Sequence, residues 1–155
     1  MTQTDIIAFL ASGRAFTEDE PVEVIETHGA YVFLCGDTAL KLKRAVKYDY
    51  MDFSTLNLRE AMLRRELDLN KPGAPSIYRD VVPVTCDPDG NLSLDGDGAP
   101  VEWVLRMWRF PKTDELAAIA DGGGIDDRLA NDLGKGVFEY HAQTPHRPAD
   151  GAKLI

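Results

Sequence analysis

Apolar and polar residues alternate in two closely spaced runs near the start of the chain. Val22 and Val24, with Glu26, oppose Glu23, Ile25 and Thr27, and Tyr31 to Cys35 form a second β-rich run. A period of two predicts strands, and His28-Gly29-Ala30 between the runs reads as a tight turn that makes them a hairpin. Gly36-Asp37-Thr38 is a second turn, leading into Ala39-Leu40-Lys41-Leu42-Lys43. In that strand Ala39, Lys41 and Lys43 share one face while Leu40 and Leu42 occupy the other. Three consecutive antiparallel strands are predicted.

A period near 3.6 appears on either side of these strands. Thr4 and Asp5 can start a short helix with Ile6, Ile7, Phe9 and Leu10 as its apolar positions and Gly13 at its end, placed to cover one end of the sheet. After Arg44, the aromatic segment of Tyr48, Tyr50 and Phe53 reads as a packed connection, and Ser54 caps a long helix to about Asn70. Glu60 and Arg64, one turn apart, support that helix. Leu58, Met62 and Leu69 fall on one side of its apolar arc and Leu56, Leu63 and Leu67 on the other, with Glu66 projecting between them. Pro72, Gly73 and Pro75 end the helix. Val81 to Thr85, Asn91 to Leu94 and Val101 to Met107 read as three more strands, in the last of which Val101, Trp103, Leu105 and Met107 face one way. Beyond Pro111, Thr113 caps a short helix to Ala120, Gly122 to Gly124 form a break, and Asp126 opens a helix to about Gln143 with Leu129, Leu133 and Val137 on one face. Pro145 to Ile155 reads as a polar tail without a further periodic element.

With 155 residues the chain has room for a real core, and 44% hydrophobic with 28% charged residues is ordinary for a globular protein. Seventeen basic against 26 acidic residues give a formal net charge of -9, which argues against a general nucleic-acid binder. Anionic ligands then require a local gathering of bases, and the densest is Lys41, Lys43, Arg44 and Lys47. No apolar run approaches a membrane span, and Met1 to Thr4 lacks the start of a secretory signal, so the expected location is cytoplasmic, without a membrane partner. Cys35 and Cys86 are isolated and are expected to be free thiols, without a metal site.

The chemistry concentrates on the lysine strand. Two ammonium groups above packed leucines suit phosphates, which need a fixed cation beside a dry surface; an exposed strand face is the plainer alternative. A carboxylate at Glu66 is costly unless a cation meets it. Lys41 is the favoured partner, with a local pairing to Arg59 or a stem reaching solvent as the competing readings. Turns carry unpaired backbone N–H groups, so Thr27, His28 and Gly29 are a phosphate lid or simply a hairpin turn. Asp87-Pro88-Asp89-Gly90 and Asp95-Gly96-Asp97-Gly98 read as hairpin turns rather than calcium loops, because the glycine falls too early and no bidentate glutamate follows. His141, one turn past Val137, reads as a packing histidine, with catalysis the minor option.

The segments Glu26-Thr27-His28, Val32-Phe33-Leu34, Lys41-Leu42-Lys43, Asp52-Phe53-Ser54-Thr55-Leu56, Glu66-Leu67-Asp68-Leu69-Asn70, Val82-Pro83-Val84 and Arg106-Met107-Trp108-Arg109-Phe110 resemble the N-terminal part of the bacterial aminoglycoside-phosphotransferase-like proteins. The resemblance runs from about Glu23 to about Pro145. In that group this part commonly belongs to a longer chain that also carries a P-loop ATPase domain. The resemblance implies an α+β fold, the small lobe of the protein-kinase-like fold (an antiparallel sheet with one long helix) over residues 1–110, followed by the first helices of an incomplete large lobe over residues 111–155. It further implies that Lys41 holds the α- and β-phosphates of ATP, with Lys43 the alternative if the register differs, and that Glu66 pairs with that lysine. Thr27 to Ala30 would be the lid turn. Met107, Trp108, Arg109 and Phe110 would be the hinge whose backbone groups meet adenine, with Ala39, Val24 and Val32 against the ring.

Phosphoryl transfer also needs a positioning aspartate and ligands for Mg2+, which this fold supplies from a loop beyond the helix ending near Gln143. No His-Gly-Asp motif occurs before Ile155, and Asp150-Gly151 lies too near the end to be backed by a larger lobe. Two functional classes therefore remain. In the first, which the resemblance implies, the chain is the ATP-binding lobe of a small-molecule phosphotransferase, inactive alone, whose large lobe and acceptor site lie elsewhere. Otherwise it is a non-catalytic nucleotide-binding or protein-interaction module, with an apolar surface near Val137 to His141 exposed or covered by a partner.

Overall fold

A computed structural model describes residues 1–145. The polar tail from Pro145 and the Asp150-Gly151 pair therefore lie, apart from Pro145 itself, outside the described residues. The chain divides into two compact units, Met1–Phe110 and a second that begins at Pro111.

The first unit is α+β. Helix α1 (Gln3–Ala11) precedes strands β1 (Glu23–Glu26), β2 (Ala30–Cys35) and β3 (Thr38–Lys43). A small hairpin follows, of β4 (Lys47–Tyr48) and β5 (Met51–Asp52), then the long helix α2 (Leu56–Asn70) and strands β6 (Tyr78–Cys86), β7 (Leu92–Leu94) and β8 (Ala99–Trp108). Six strands form one sheet in the order β1-β2-β3-β8-β6-β7, every neighbouring pair antiparallel. The last long strand thus enters the middle of the sheet, against the lysine strand.

Each face of the sheet is covered by one helix. Ile6, Phe9 and Leu10 of α1 pack with Phe33, Leu40, Leu42, Val82, Val84 and Val104. On the other face Leu63 and Leu67 of α2 meet Val81, Leu105, Trp103 and Met107. Because residues paired across a ladder share a face, the registers Val32–Lys41 and Lys41–Leu105 put Lys41 on the α2 side.

The structure corrects several local expectations. Helix α1 is capped by Thr2, whose hydroxyl accepts from the Asp5 N–H while the Asp5 carboxylate accepts from the Thr2 N–H; this reciprocal box satisfies two donors that a start at Thr4 would leave unused. Helix α2 is capped by Thr55, not Ser54, because the Ser54 hydroxyl and N–H are bound to Asp52. The segment between β3 and α2 is not packed throughout. Phe53 is buried, whereas Tyr48 and Tyr50 are exposed and stack on each other at 5.8 Å. Leu58, Met62 and Leu69 are also exposed, so only the Leu63–Leu67 side of the α2 arc is covered by the sheet. In β8 the expected alternation stops at Val101, which packs with the α1-side cluster, next to a register shift between Val84 and Thr85. The Asp87 turn spends its carboxylate locally, accepting from the Asn91 N–H and side-chain amide.

The second unit holds a 3-10 turn (Lys112–Asp114) and helices α3 (Leu116–Asp121) and α4 (Asp127–Gln143). Thr113 falls inside the 3-10 turn and caps nothing, while Asp126 caps α4 through the Leu129 N–H at 2.7 Å. Helix α4 is amphipathic but buries no residue: Leu133, Val137 and Phe138 are exposed. His141 is exposed beside the Tyr140 ring and is not buried among the described residues. No helix among the described residues is long and apolar enough to cross a membrane.

Candidate functional site

The alternation of β3 sends Leu40 and Leu42 into the α1-side core and holds Ala39, Lys41 and Lys43 on the α2 side. The helical period of α2, anchored by Leu63 and Leu67, projects Glu66 over the same strand. There the Lys41 Nζ donates to Glu66 Oε1 at 2.6 Å and the Lys43 Nζ donates to Glu66 Oε2 at 2.7 Å. Each carboxylate oxygen has its own ammonium group. The side chains are 27% exposed for Lys41, 12% for Lys43 and 15% for Glu66, so Lys41 is the lysine open to solvent. Lys43 is further enclosed by the Phe53 ring, 5.3 Å from its Nζ.

Burial alone pushes the Glu66 carboxyl up, but the hydrogen bonds and charges of Lys41 and Lys43 outweigh it and hold the carboxyl below the usual glutamate range. Burial, and then the Glu66 charge, push the nearby Tyr78 phenol up. A depressed folded value means that Glu66 stabilises the fold above the ordinary glutamate range and loses that contribution as pH falls through the depressed value. The denaturant midpoint of Glu66→Gln is therefore expected to fall less than that of the wild type on acidification from neutrality. Parallel curves for the two proteins would show that Glu66 contributes nothing to the acid limb.

Arg59 does not compete for Glu66. It is buried and bound to Glu102 of β8, with Nε at 3.1 and 2.9 Å from the two carboxylate oxygens and Nη2 at 2.8 Å. Its Nη1 donates to the Phe53 carbonyl at 2.9 Å. Glu102 lies beyond Leu42–Val104, the last pair of the β3–β8 ladder, so the side of the central strand is open at that level. Gln3 fills the opening: its amide donates to the Lys43 carbonyl at 2.9 Å and to Glu102 at 3.1 Å, and its oxygen accepts from the Ala45 N–H at 2.7 Å. Sequence reasoning missed Glu102 and Gln3. The available signal was a single carboxylate inside the apolar run Val101-Glu102-Trp103-Val104-Leu105.

The turn between β1 and β2 lies beside Lys43, since Ala30 pairs with Lys43 and the Arg44 N–H donates to the Gly29 carbonyl at 3.0 Å. Thr27 closes the turn through its N–H and hydroxyl to the Ala30 carbonyl, and its own carbonyl accepts from Arg44 at 2.8 Å. Thr27 is therefore fully used in holding the turn. The N–H groups of His28 and Gly29 donate to nothing among the described residues. A Cβ on Gly29 would stand 3.1 Å from the Met51 methyl group, so this position favours glycine by close approach.

The expected hinge is largely occupied by the sheet itself. Met107 pairs with Ala39 and Tyr78, the Trp108 N–H donates to the Ile77 carbonyl at 2.8 Å, and the Arg109 N–H donates to the Asp37 carbonyl at 2.7 Å. The first hinge N–H that donates to nothing among the described residues belongs to Phe110. The Trp108 ring lies under Arg79 at 4.0 Å, and the Arg109 side chain pairs with Glu23 at 3.0 Å. Ala39 and Val32 share the face of Lys41, but Val24 pairs with Phe33 and lies on the opposite face. Ile25, the partner of Val32, takes the place expected of Val24.

Three mycobacterial proteins, two from Mycobacterium tuberculosis and one from Mycobacterium bovis, each described as an uncharacterized protein, are 35% identical to this chain over 130 residues. The match covers 81% of this chain and 24% of each relative, so the chain spans about a quarter of the length of the curated relatives it matches. No protein-family profile and no solved structure matches the chain.

Proposed function

We propose that this chain is the ATP-binding lobe of an ATP-dependent small-molecule phosphotransferase of the aminoglycoside-phosphotransferase-like, protein-kinase-like kind. The observation that carries this reading is the 2.6 Å pairing of Lys41, on the third strand of an antiparallel sheet, with Glu66 on the following long helix. A lysine fixed in this way presents a cation at a defined point above a packed strand, which is what positioning a polyphosphate requires. Lys41 would hold the phosphates, the His28 and Gly29 N–H groups would cap them, and Ala39, Val32 and Ile25 would offer the apolar surface for the base. Adenine would find its backbone donor at Phe110 rather than at Trp108 or Arg109.

The positioning aspartate, the ligands for Mg2+ and the site for the small-molecule acceptor belong, on this reading, to parts of a longer protein. Among the described residues no group of three or more His, Cys, Asp or Glu side chains is placed to hold a metal ion. Isothermal titration of the chain with Mg-ATP is expected to show saturable binding that weakens with added salt and is competed by ADP. Absence of saturable binding would sink the reading.

The exposed Leu133, Val137 and Phe138 of α4 favour a second reading, a non-catalytic nucleotide-binding or interaction module that buries this face against a partner. The mass of the natural polypeptide, detected in its source cells with an antibody against this segment, separates the two. A product much heavier than 17.1 kDa fits the phosphotransferase, and one of 17.1 kDa fits the module.

A further inference from the structure

The two lysines on one carboxylate have unequal access to solvent, and this inequality suggests a division of labour. Resting on the nucleotide reading above, we propose that Lys43 is a positioning residue: it keeps Glu66 paired while Lys41 gives its ammonium group to the phosphates of a nucleoside triphosphate.

The charge balance supports this assignment. Two ammonium groups against one carboxylate leave one positive charge, whereas a single lysine–glutamate pair is neutral. An ammonium group has three N–H donors and can keep Glu66 while it meets a phosphate, but in a neutral pair the half-buried carboxylate would then stand beside further negative charge with its one counter-ion shared. That arrangement is costly in a medium of reduced dielectric. With Lys43 retained at 2.7 Å on Glu66 Oε2, Lys41 can lean toward a ligand while the carboxylate keeps a counter-ion.

Lys43 is built to stay. It is 12% exposed, its Nζ lies 5.3 Å from the Phe53 ring, and its own carbonyl is held by the Gln3 amide at 2.9 Å. The remaining base on the inner side of α2, Arg59, is spent on Glu102 and cannot take over. Lys41 has the greater exposure and can therefore turn its remaining N–H donors toward a ligand. The net positive charge of the site is thereby matched to a polyanion.

A double-mutant cycle with Mg-ATP titrated into the 155-residue chain tests the assignment. Lys43→Met, which keeps an unbranched stem of similar length, is expected to weaken ATP binding about tenfold, on the scale of one charge-assisted contact. Adding Glu66→Gln to Lys43→Met is expected to recover part of that loss, because a neutral amide needs no counter-ion and does not repel phosphate. A merely structural Lys43 would give no such recovery, and thermal melting of each variant reports the fold separately. Wild-type binding with unchanged affinity in Lys43→Met, or a loss in Lys43→Met that Glu66→Gln deepens, overturns this assignment alone. Failure of the wild type to bind ATP overturns the nucleotide reading and this assignment with it.

Discussion

Glu102→Ala is expected to lower the unfolding free energy by about 3–5 kcal/mol, the range for removing one partner of a buried ion pair. Glu102 is 1% exposed and takes three contacts from Arg59, one from Gln3 and one from its neighbouring Trp103 N–H. Without it the Arg59 guanidinium stays inside the protein with only the Phe53 carbonyl as partner, and the Gln3 amide loses one of its acceptors. The loss would be a large part of the roughly 5–15 kcal/mol that stabilises a typical domain. Urea unfolding followed by circular dichroism measures it directly. Arg59→Met combined with Glu102→Leu is expected to regain most of the stability, since the cost arises from the unpaired charge and not from the absence of the pair. A loss below about 1 kcal/mol in Glu102→Ala, the scale of a solvent-exposed pair, would show that water reaches this network.

Lys41→Met is expected to weaken Mg-ATP binding about 10- to 100-fold, corresponding to the loss of a hydrogen bond to a charged group. The melting temperature should move little. Lys41 is the more exposed of the two lysines, and after its removal Glu66 still holds Lys43 at 2.7 Å. The signature is therefore a separation of affinity from stability, read by calorimetric titration beside a thermal melt. Equal affinity in Lys41→Met and wild type would move the phosphate contact away from Lys41. A matching fall in melting temperature would make the lysine a structural strut for α2.

Much of the arrangement was legible along the chain because strands and helices impose their own periods. The alternation from Ala39 to Lys43 was enough to put Lys41 and Lys43 on one face, and the register of β3 with β2 and β8 bears this out. The 3.6-residue period put Glu66 within the apolar arc of α2, which made a cation opposite it an energetic requirement. Element ends were less legible, because caps are decided by short-range competition between hydroxyls. Ser54 lost to Thr55 once Asp52 had taken its hydroxyl and N–H. The donors within the expected hinge were not legible for a different reason: β8 is paired with β6 up to Met107 and with β3 up to Trp108, and the Trp108 and Arg109 N–H groups go to Ile77 and Asp37, while the Phe110 N–H donates to nothing among the described residues.

What the local pattern determined was direction: which side chains leave a strand or helix on the same side. It could not determine who meets whom across elements far apart in sequence. Arg59 and Lys41 were both available to Glu66 by periodicity, and the choice depended on where α2 crosses the sheet. Leu63 and Leu67 seat the helix on Leu105 and Val81, which brings Glu66 over β3 and carries Arg59 past the end of the β3–β8 ladder to Glu102. An ion pair is a short-range contact between desolvated groups, so its partners are set by the packing of the core beneath them. That packing, rather than any spacing in the chain, gave one carboxylate to two lysines and left Lys41 the one open to solvent.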